Sequence, residues 1–105
     1  MTYTYNEAFE ASKKYFEGDE LAARVWATKY ALKDSQGNYF ELTPDDMHRR
    51  IAREIARIER KYQNPMDEQL LFDLMNHFRY LVPQGSPMAG IGNNLQVGSL
   101  SNCFV

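Results

Sequence analysis

The single cysteine of the chain, Cys103, is the first side chain that could carry chemistry. A thiol does redox or nucleophilic work when its surroundings favour the thiolate and a partner group lies within reach. With one cysteine in 105 residues no internal disulfide can form, so a redox partner has to come from another chain or from residues outside this sequence. A lone cysteine is more commonly a small buried hydrophobe, and local composition favours that interpretation of Cys103.

A second candidate is the stretch from Pro83 to Asn94, which is rich in Gly and Pro and has no helical period. Its glycines let the backbone approach a ligand closely, and Ser86 and Asn93 offer a hydroxyl and an amide. Such a loop could hold a phosphate or a sugar. It is not a P-loop, because no Gly-Lys-Ser/Thr follows, and its dinucleotide fingerprint lacks the third glycine. Taken by itself, the stretch favours an ordinary connecting loop.

The third candidate is a predicted helix with five arginines, which could grip phosphates and would then belong to a small helical interaction or nucleic-acid-binding module. Glu54 and Glu59 are interleaved with the arginines, and the chain has a net charge of -2 and a pI near 5.6. These features favour a solvated, salt-bridged face instead. The arginines are Arg49, Arg50, Arg53, Arg57 and Arg60.

The remaining composition excludes several other classes of protein. Neither His48 nor His77 has a second ligand at metal-binding spacing, so no metal site is predicted. No apolar run approaches the roughly 20 residues that cross a bilayer. The first residues lack the basic region and the apolar stretch of a signal peptide. We therefore expect a cytoplasmic protein whose main task is binding neither nucleic acid nor a membrane.

Start and stop signals divide the first two thirds of the chain into about four helices, so the fold class is mainly α. Thr4 and Glu7 fit a capping box, and Gly18 is suited to end the first helix in a left-handed conformation. Asp19 can cap the second helix. A turn cluster at 34–38 then joins two short extended pieces.

The third helix begins at Thr43-Pro44-Asp45-Asp46 and ends at Asn64-Pro65, and a fourth runs from about Asp67 to Phe78. The tail, 99–105, is typical of the beginning of a strand. Apolar spacing predicts one inward face on each helix. In the first helix, Tyr5, Phe9, Ser12 and Phe16 recur at helical spacing. The predicted inward residues of the other helices are Leu21, Val25 and either Trp26 or Leu32; Met47, Ile51, Ile55, Ile58 and Tyr62; and Leu70, Leu71, Leu74 and Phe78.

The order of these segments resembles the large, catalytic subunit of ribonucleotide reductases. The helical amino-terminal region of that family is similar to residues 18–25, 29–34 and 43–47. Its substrate loop is similar to Pro83-Gln84-Gly85-Ser86-Pro87-Met88-Ala89-Gly90, and its first barrel-strand motif is similar to Ser99-Leu100-Ser101-Asn102-Cys103-Phe104-Val105. Details of the amino-terminal segment look most like the adenosylcobalamin-dependent class.

The resemblance implies a helical domain over 1–82, followed over 83–105 by the substrate loop and the first strand of a ten-stranded α/β barrel. Cys103 matches one member of the redox-active pair, whose partner is not in this chain. Ser86 matches a residue that binds the diphosphate region of the substrate. Asn102 and the backbone at Cys103 match the strand lining the ribose, so Ser86, Asn102 and Cys103 are the expected substrate-binding residues. The chain is thus expected to be part of a ribonucleoside-diphosphate reductase, to be inactive alone and to tend to associate.

The resemblance also implies the partners of the complete enzyme. Its cofactor would be adenosylcobalamin, with a di-metal radical subunit as the alternative. Its partners would be a ribonucleotide substrate, the remainder of the reductase polypeptide and a thioredoxin-type reductant, and the complete enzyme would be a homodimer. The reaction would be the radical reduction of ribonucleotides to 2′-deoxyribonucleotides for DNA synthesis.

Overall fold

A computed structural model describes residues 2–93, and the chain divides into two compact units, Met1–Met47 and His48–Val105. The prediction of a mainly helical chain is confirmed, with five α-helices instead of about four among the described residues. The helices are α1 (Tyr5–Tyr15), α2 (Glu20–Val25), α3 (Pro44–Glu59), α4 (Glu68–Met75) and α5 (Gly85–Gly90). Within residues 2–93, no helix is long and apolar enough to cross a membrane. The predicted barrel strand at 99–105 lies outside the described residues.

Helix α1 has the predicted capping box at its start. The Thr4 hydroxyl accepts from the Glu7 N–H at 3.2 Å, and the Glu7 carboxylate accepts from the Thr4 N–H at 3.0 Å. At the other end, the Gly18 N–H donates to the Lys13 carbonyl and the Glu17 N–H to the Lys14 carbonyl. This is a Schellman termination, and its first left-handed residue is Glu17 (φ 57°), one position before the predicted Gly18 (φ 92°).

Helix α2 begins at the predicted cap, where the Asp19 carboxylate accepts from the Ala22 N–H at 3.1 Å. It continues into a π-helical turn, Trp26–Tyr30, closed by the Ala31 N–H on the Trp26 carbonyl five residues earlier. Trp26 is buried, as predicted, whereas the predicted inward residue Leu21 is 68% exposed. The buried side of α2 is lined instead by small residues, Ala23 and Ala27 in the following turn.

The turn predicted at 34–38 is confirmed. The Asp34 carboxylate accepts from the N–H groups of Gln36 and Asn38, and isolated antiparallel bridges join Tyr39 to Lys33 and to Tyr3. Gly37 at the tip has φ 86°, the left-handed conformation that glycine adopts without strain. The turn thus brings a short extended piece on each side into register, and the Tyr39 side chain is buried.

The buried face of α3 differs from the predicted stripe. Met47 and Ile51 are almost fully buried, but Ile58 is 42% exposed and Tyr62, beyond the helix end, is 64% exposed. Those two inward predictions were wrong. The face that is buried contains smaller and polar residues, namely His48, Arg50, Ala52 and Ala56. Periodicity predicted the helix correctly but not which of its residues are buried.

Helix α4 is shorter than predicted and buries Leu71 and Met75, while Leu70 is 47% exposed, contrary to the prediction. Its start is capped by Asp67, whose carboxylate accepts from the Leu70 N–H at 2.7 Å. Asn76–Phe78 form a 3₁₀ turn instead of a continuation of the helix. The α-helix does not continue there, because His77 and Phe78 have positive φ angles of 55° and 54°, outside the right-handed helical range.

Candidate functional site

Of the three candidate site residues, Ser86 alone belongs to the part of the chain that the structure describes. Ser86 lies in the first turn of α5, whereas Asn102 and Cys103 lie outside the described residues. The convergence of Ser86 and Cys103 on one nucleotide therefore stays a prediction. The division of the chain into 1–82 and 83–105 by role also stays a prediction. What the structure adds is how the segment from Gln84 to Asn93 is held.

This segment contains a short helix where the sequence predicted an irregular loop. Helix α5 spans Gly85–Gly90, with the Met88 N–H on the Gln84 carbonyl and the Ile91 N–H on the Pro87 carbonyl, each at 3.0 Å. Pro87 is compatible with a helix because it occupies the first turn, where a backbone N–H has no intrahelical acceptor. The Met88 side chain is buried. The prediction of a loop was wrong because Gly and Pro have low helix propensity, so the local sequence does not indicate this helix.

Arg50 of α3 anchors this helix. Its guanidinium donates from Nη2 to the Met88 carbonyl at 2.6 Å, and from Nη1 to the Ile91 carbonyl at 2.8 Å and the Ala89 carbonyl at 3.4 Å. These acceptors belong to the last turn of α5 and the residue after it. A cation is favourable there, because the last carbonyls of a helix lack intrahelical donors and carry its negative dipole end.

Close packing around Arg50 explains Gly92. A Cβ at Gly92 would lie 3.0 Å from the Arg50 Cγ and 3.6 Å from the Arg50 carbonyl oxygen, and Gly92 has φ 74°. Both features favour glycine. The next residue closes the turn, since the Asn93 N–H donates to the Gly90 carbonyl and the Asn93 amide donates to the Ala89 carbonyl, each at 3.1 Å. Gly92 and Asn93 were noted in the sequence as ligand-approach residues, and in the structure both contribute to holding the segment.

The prediction that Arg50 belongs to a solvated arginine face was wrong, since this residue is 6% exposed. A signal for its burial was present in the sequence. Arg50 follows Met47 by three positions and immediately precedes Ile51, so it lies within the apolar stripe of α3. Helical spacing offers Asp46 and Glu54, four residues away on either side, whereas the carbonyls that Arg50 binds lie 38 to 41 residues further along the chain.

Elsewhere on α3 the salt-bridged face is confirmed. Arg49 lies over the Phe72 ring, 3.8 Å from its centre, and pairs with Glu68 at 3.4 Å. The Arg57 guanidinium donates from Nε to the Glu54 carboxylate at 3.1 Å. That hydrogen bond lowers the pKa of Glu54 and raises the pKa of Arg57. These pairs neutralise part of the arginine charge on which a nucleic-acid surface would depend.

The two histidines do not form a metal centre with each other. His48 is fully buried and its ring meets Phe78 edge-on with centres 4.9 Å apart, while His77 is exposed in the left-handed turn after α4. Among residues 2–93, no group of three His, Cys, Asp or Glu side chains is placed to hold a metal ion. His48 is thus packed as an aromatic core residue of its unit.

Comparison with known proteins identifies the helical region. Residues 16–94, about three quarters of the chain, match the family model described as ribonucleotide reductase, all-alpha domain. No curated protein and no solved structure matches the chain. The matched range contains α2 to α5 in full, including Arg50, Gly92 and the Ser86 segment. The chain therefore belongs to the ribonucleotide reductase family, as the all-alpha, amino-terminal part of a large subunit.

Proposed function

We propose that this chain supplies the substrate loop and one redox cysteine of an enzyme that reduces ribonucleotides to 2′-deoxyribonucleotides. The observation that carries the proposal is the family match, because it extends to residue 94 and so includes the segment that holds Ser86. The motif Leu100-Ser101-Asn102-Cys103-Phe104 begins six residues after the matched range and resembles the first barrel strand of the same family.

The proposed roles of the side chains are those that the resemblance to the family implies. Ser86 would offer a hydroxyl to the diphosphate of the substrate, and Asn102 would contact the ribose. Cys103 and a second cysteine outside this chain supply two electrons and two protons. The 2′-hydroxyl leaves as water, a hydrogen replaces it at C2′, and the two thiols become a disulfide. A thioredoxin-type protein then reduces that disulfide by thiol–disulfide exchange.

The radical that starts the reaction comes from a group outside the described residues. We propose adenosylcobalamin, with a di-metal radical subunit as the alternative. Residues 2–93 offer no cluster of three metal-ligating side chains, and none of the steps assigned to this chain passes through the cofactor. When bound, the cofactor would generate the radical, while the protein positions and shields the nucleotide. The complete enzyme is proposed to be a cytoplasmic homodimer.

Reconstitution tests this proposal. The chain is mixed with the remaining, carboxyl-terminal portion of a cobalamin-dependent reductase, and deoxyribonucleotide formation is measured with adenosylcobalamin and a thioredoxin system. We expect no product from either part alone and turnover from the mixture. Cys103→Ser should abolish thioredoxin-dependent turnover, whereas Arg53→Gln, on the exposed side of α3, should retain it. Turnover by this chain alone, or full activity of the Cys103→Ser mixture, would overturn the proposal.

A further inference from the structure

We infer that Arg50 is a positioning residue for the nucleotide-binding segment, and this inference rests on the proposed function. Arg50 is not proposed to contact the substrate itself. It acts through the backbone of α5, whose last-turn carbonyls it holds, and so determines where the first turn of α5 places Ser86. Through Arg50, α3 would then hold the segment in its binding position before the ribonucleotide binds.

Helix α5 needs an anchor from outside because it is weak by itself. It has six residues, with glycine at both ends and proline in its first turn. Isolated helices shorter than about 12 residues are marginal in water, and glycine lowers helix stability further. Helix α3, in contrast, has 16 residues and buries Ile51 and Ala52 beside Arg50. The side chain of Arg50 thus connects a weak element to a stable one.

The geometry of the anchor requires a guanidinium. Two nitrogens of Arg50 reach three carbonyl oxygens within residues 88–91. A planar fork with five donors suits this arrangement, while a lysine ammonium is a compact point charge that would reach fewer of the carbonyls from the same position. Lysine keeps the charge and the helix propensity of arginine, so Arg50→Lys removes the fork alone.

Gly92 packs against Arg50, so a substitution at Gly92 is a second, independent way to disrupt the anchor. A Cβ there would lie 3.0 Å from the Arg50 Cγ, so Gly92→Ala displaces the arginine stem without changing its charge. The left-handed φ of 74° adds strain for alanine. If the two residues act as one unit, the effects of Arg50→Lys and Gly92→Ala should be strongly non-additive in the double variant.

Amide hydrogen exchange of the full chain tests the anchor. In Arg50→Lys, exchange at the Met88 and Ile91 amides should accelerate about tenfold or more, the effect of losing hydrogen bonds to a charged group. The buried α4 residues Leu71 and Met75 should stay protected, which shows that the unit is still folded. Arg53→Lys, on the exposed side of α3, is the matched control and should leave α5 unchanged.

Kinetics of the reconstituted reductase then test the positioning role. A variant that is merely less stable lowers the active fraction and so lowers kcat without raising KM. Loss of positioning should instead raise the KM for the ribonucleotide about tenfold in Arg50→Lys. Unchanged exchange at Met88 and Ile91 would overturn the anchor, and an unchanged KM would overturn the positioning role. A wild-type mixture without activity would overturn the proposed function, while the exchange result would still decide whether Arg50 holds α5.

Discussion

Replacement of Met47 by alanine tests the packing of the unit Met1–Met47 through a built-in reporter. Met47 is fully buried, and its thioether sulfur accepts from the indole N–H of Trp26 at 3.2 Å. Trp26 is the only tryptophan of the chain and is 2% exposed. Its fluorescence therefore reports on the same contact that the substitution removes.

The expected loss is large for a chain of this size. Truncating a buried methionine to alanine costs about 2–5 kcal/mol, because a cavity remains where the side chain packed. Leaving the buried indole N–H without its acceptor adds about 1 kcal/mol. We expect Met47→Ala to lower the free energy of unfolding by about 4 kcal/mol, a substantial part of the roughly 5–15 kcal/mol typical of a domain.

Urea denaturation followed by Trp26 fluorescence measures this loss, and two further variants sharpen it. Met47→Leu keeps the volume and removes only the sulfur acceptor, so it should cost about 1 kcal/mol. Leu21→Ala should change stability by less than about 0.5 kcal/mol because Leu21 is 68% exposed. The apolar pattern of the sequence predicts the opposite for Leu21. A loss in Leu21→Ala as large as that in Met47→Ala would refute this account of the core.

The remaining predictions concern pH, the turn and nucleic acid. The hydrogen bond from the Asn38 side chain to Asp34 lowers the pKa of Asp34 below its usual 3.8. The ionised carboxylate therefore stabilises the fold above that pH, and this stabilisation is lost as the pH falls through the lowered pKa. Asp34→Ala should remove this acid dependence in thermal melts at pH 2 to 6. Burial raises the pKa of the Tyr39 hydroxyl, so Tyr39 stays protonated to a higher pH in the folded state than in the unfolded state. The folded state therefore loses stability as the pH rises above about 10. Tyr39→Phe should reduce this alkaline loss of stability. Gly37→Ala should cost about 1 kcal/mol in the same melts, since alanine is strained at φ 86° although space is open around it. Electrophoretic mobility shifts at low salt should detect no tight DNA or RNA complex, and a salt-dependent complex lost on replacing the arginine at 53 would contradict the reductase assignment.

Local signals allowed much of the fold to be predicted. The predicted caps at Thr4 and Asp19 bond to backbone groups three residues away, so the chain needs no tertiary structure to reveal them. The turn at 34–38 is equally local. Burial was predicted less well because it depends on what the rest of the chain covers. Ile58 continues the apolar spacing of α3 and yet is 42% exposed.

The candidate site residues could be named from the sequence, whereas the contacts that hold their segment could not. Residue type alone pointed to Cys103 as a thiol and to Ser86 as a hydroxyl in a glycine-rich stretch, but their roles, and Asn102 altogether, came from the resemblance to a family. Arg50 was missed as an anchor because its acceptors are distant in sequence and are backbone carbonyls, which every residue type carries. Helix α5 was missed for the same reason, since part of what stabilises it lies on another helix. Sequence patterns reveal neighbours along the chain better than such distant contacts.

The position of a bound ribonucleotide in the assembled reductase tests the central claim most directly. A solved structure of this chain with the rest of its enzyme and a substrate nucleotide should place the Ser86 hydroxyl at the diphosphate. The same nucleotide should have its ribose beside the Cys103 thiol, with α5 still held by Arg50. A nucleotide bound elsewhere, or one that contacts Ser86 while Cys103 lies remote from its ribose, would contradict the account.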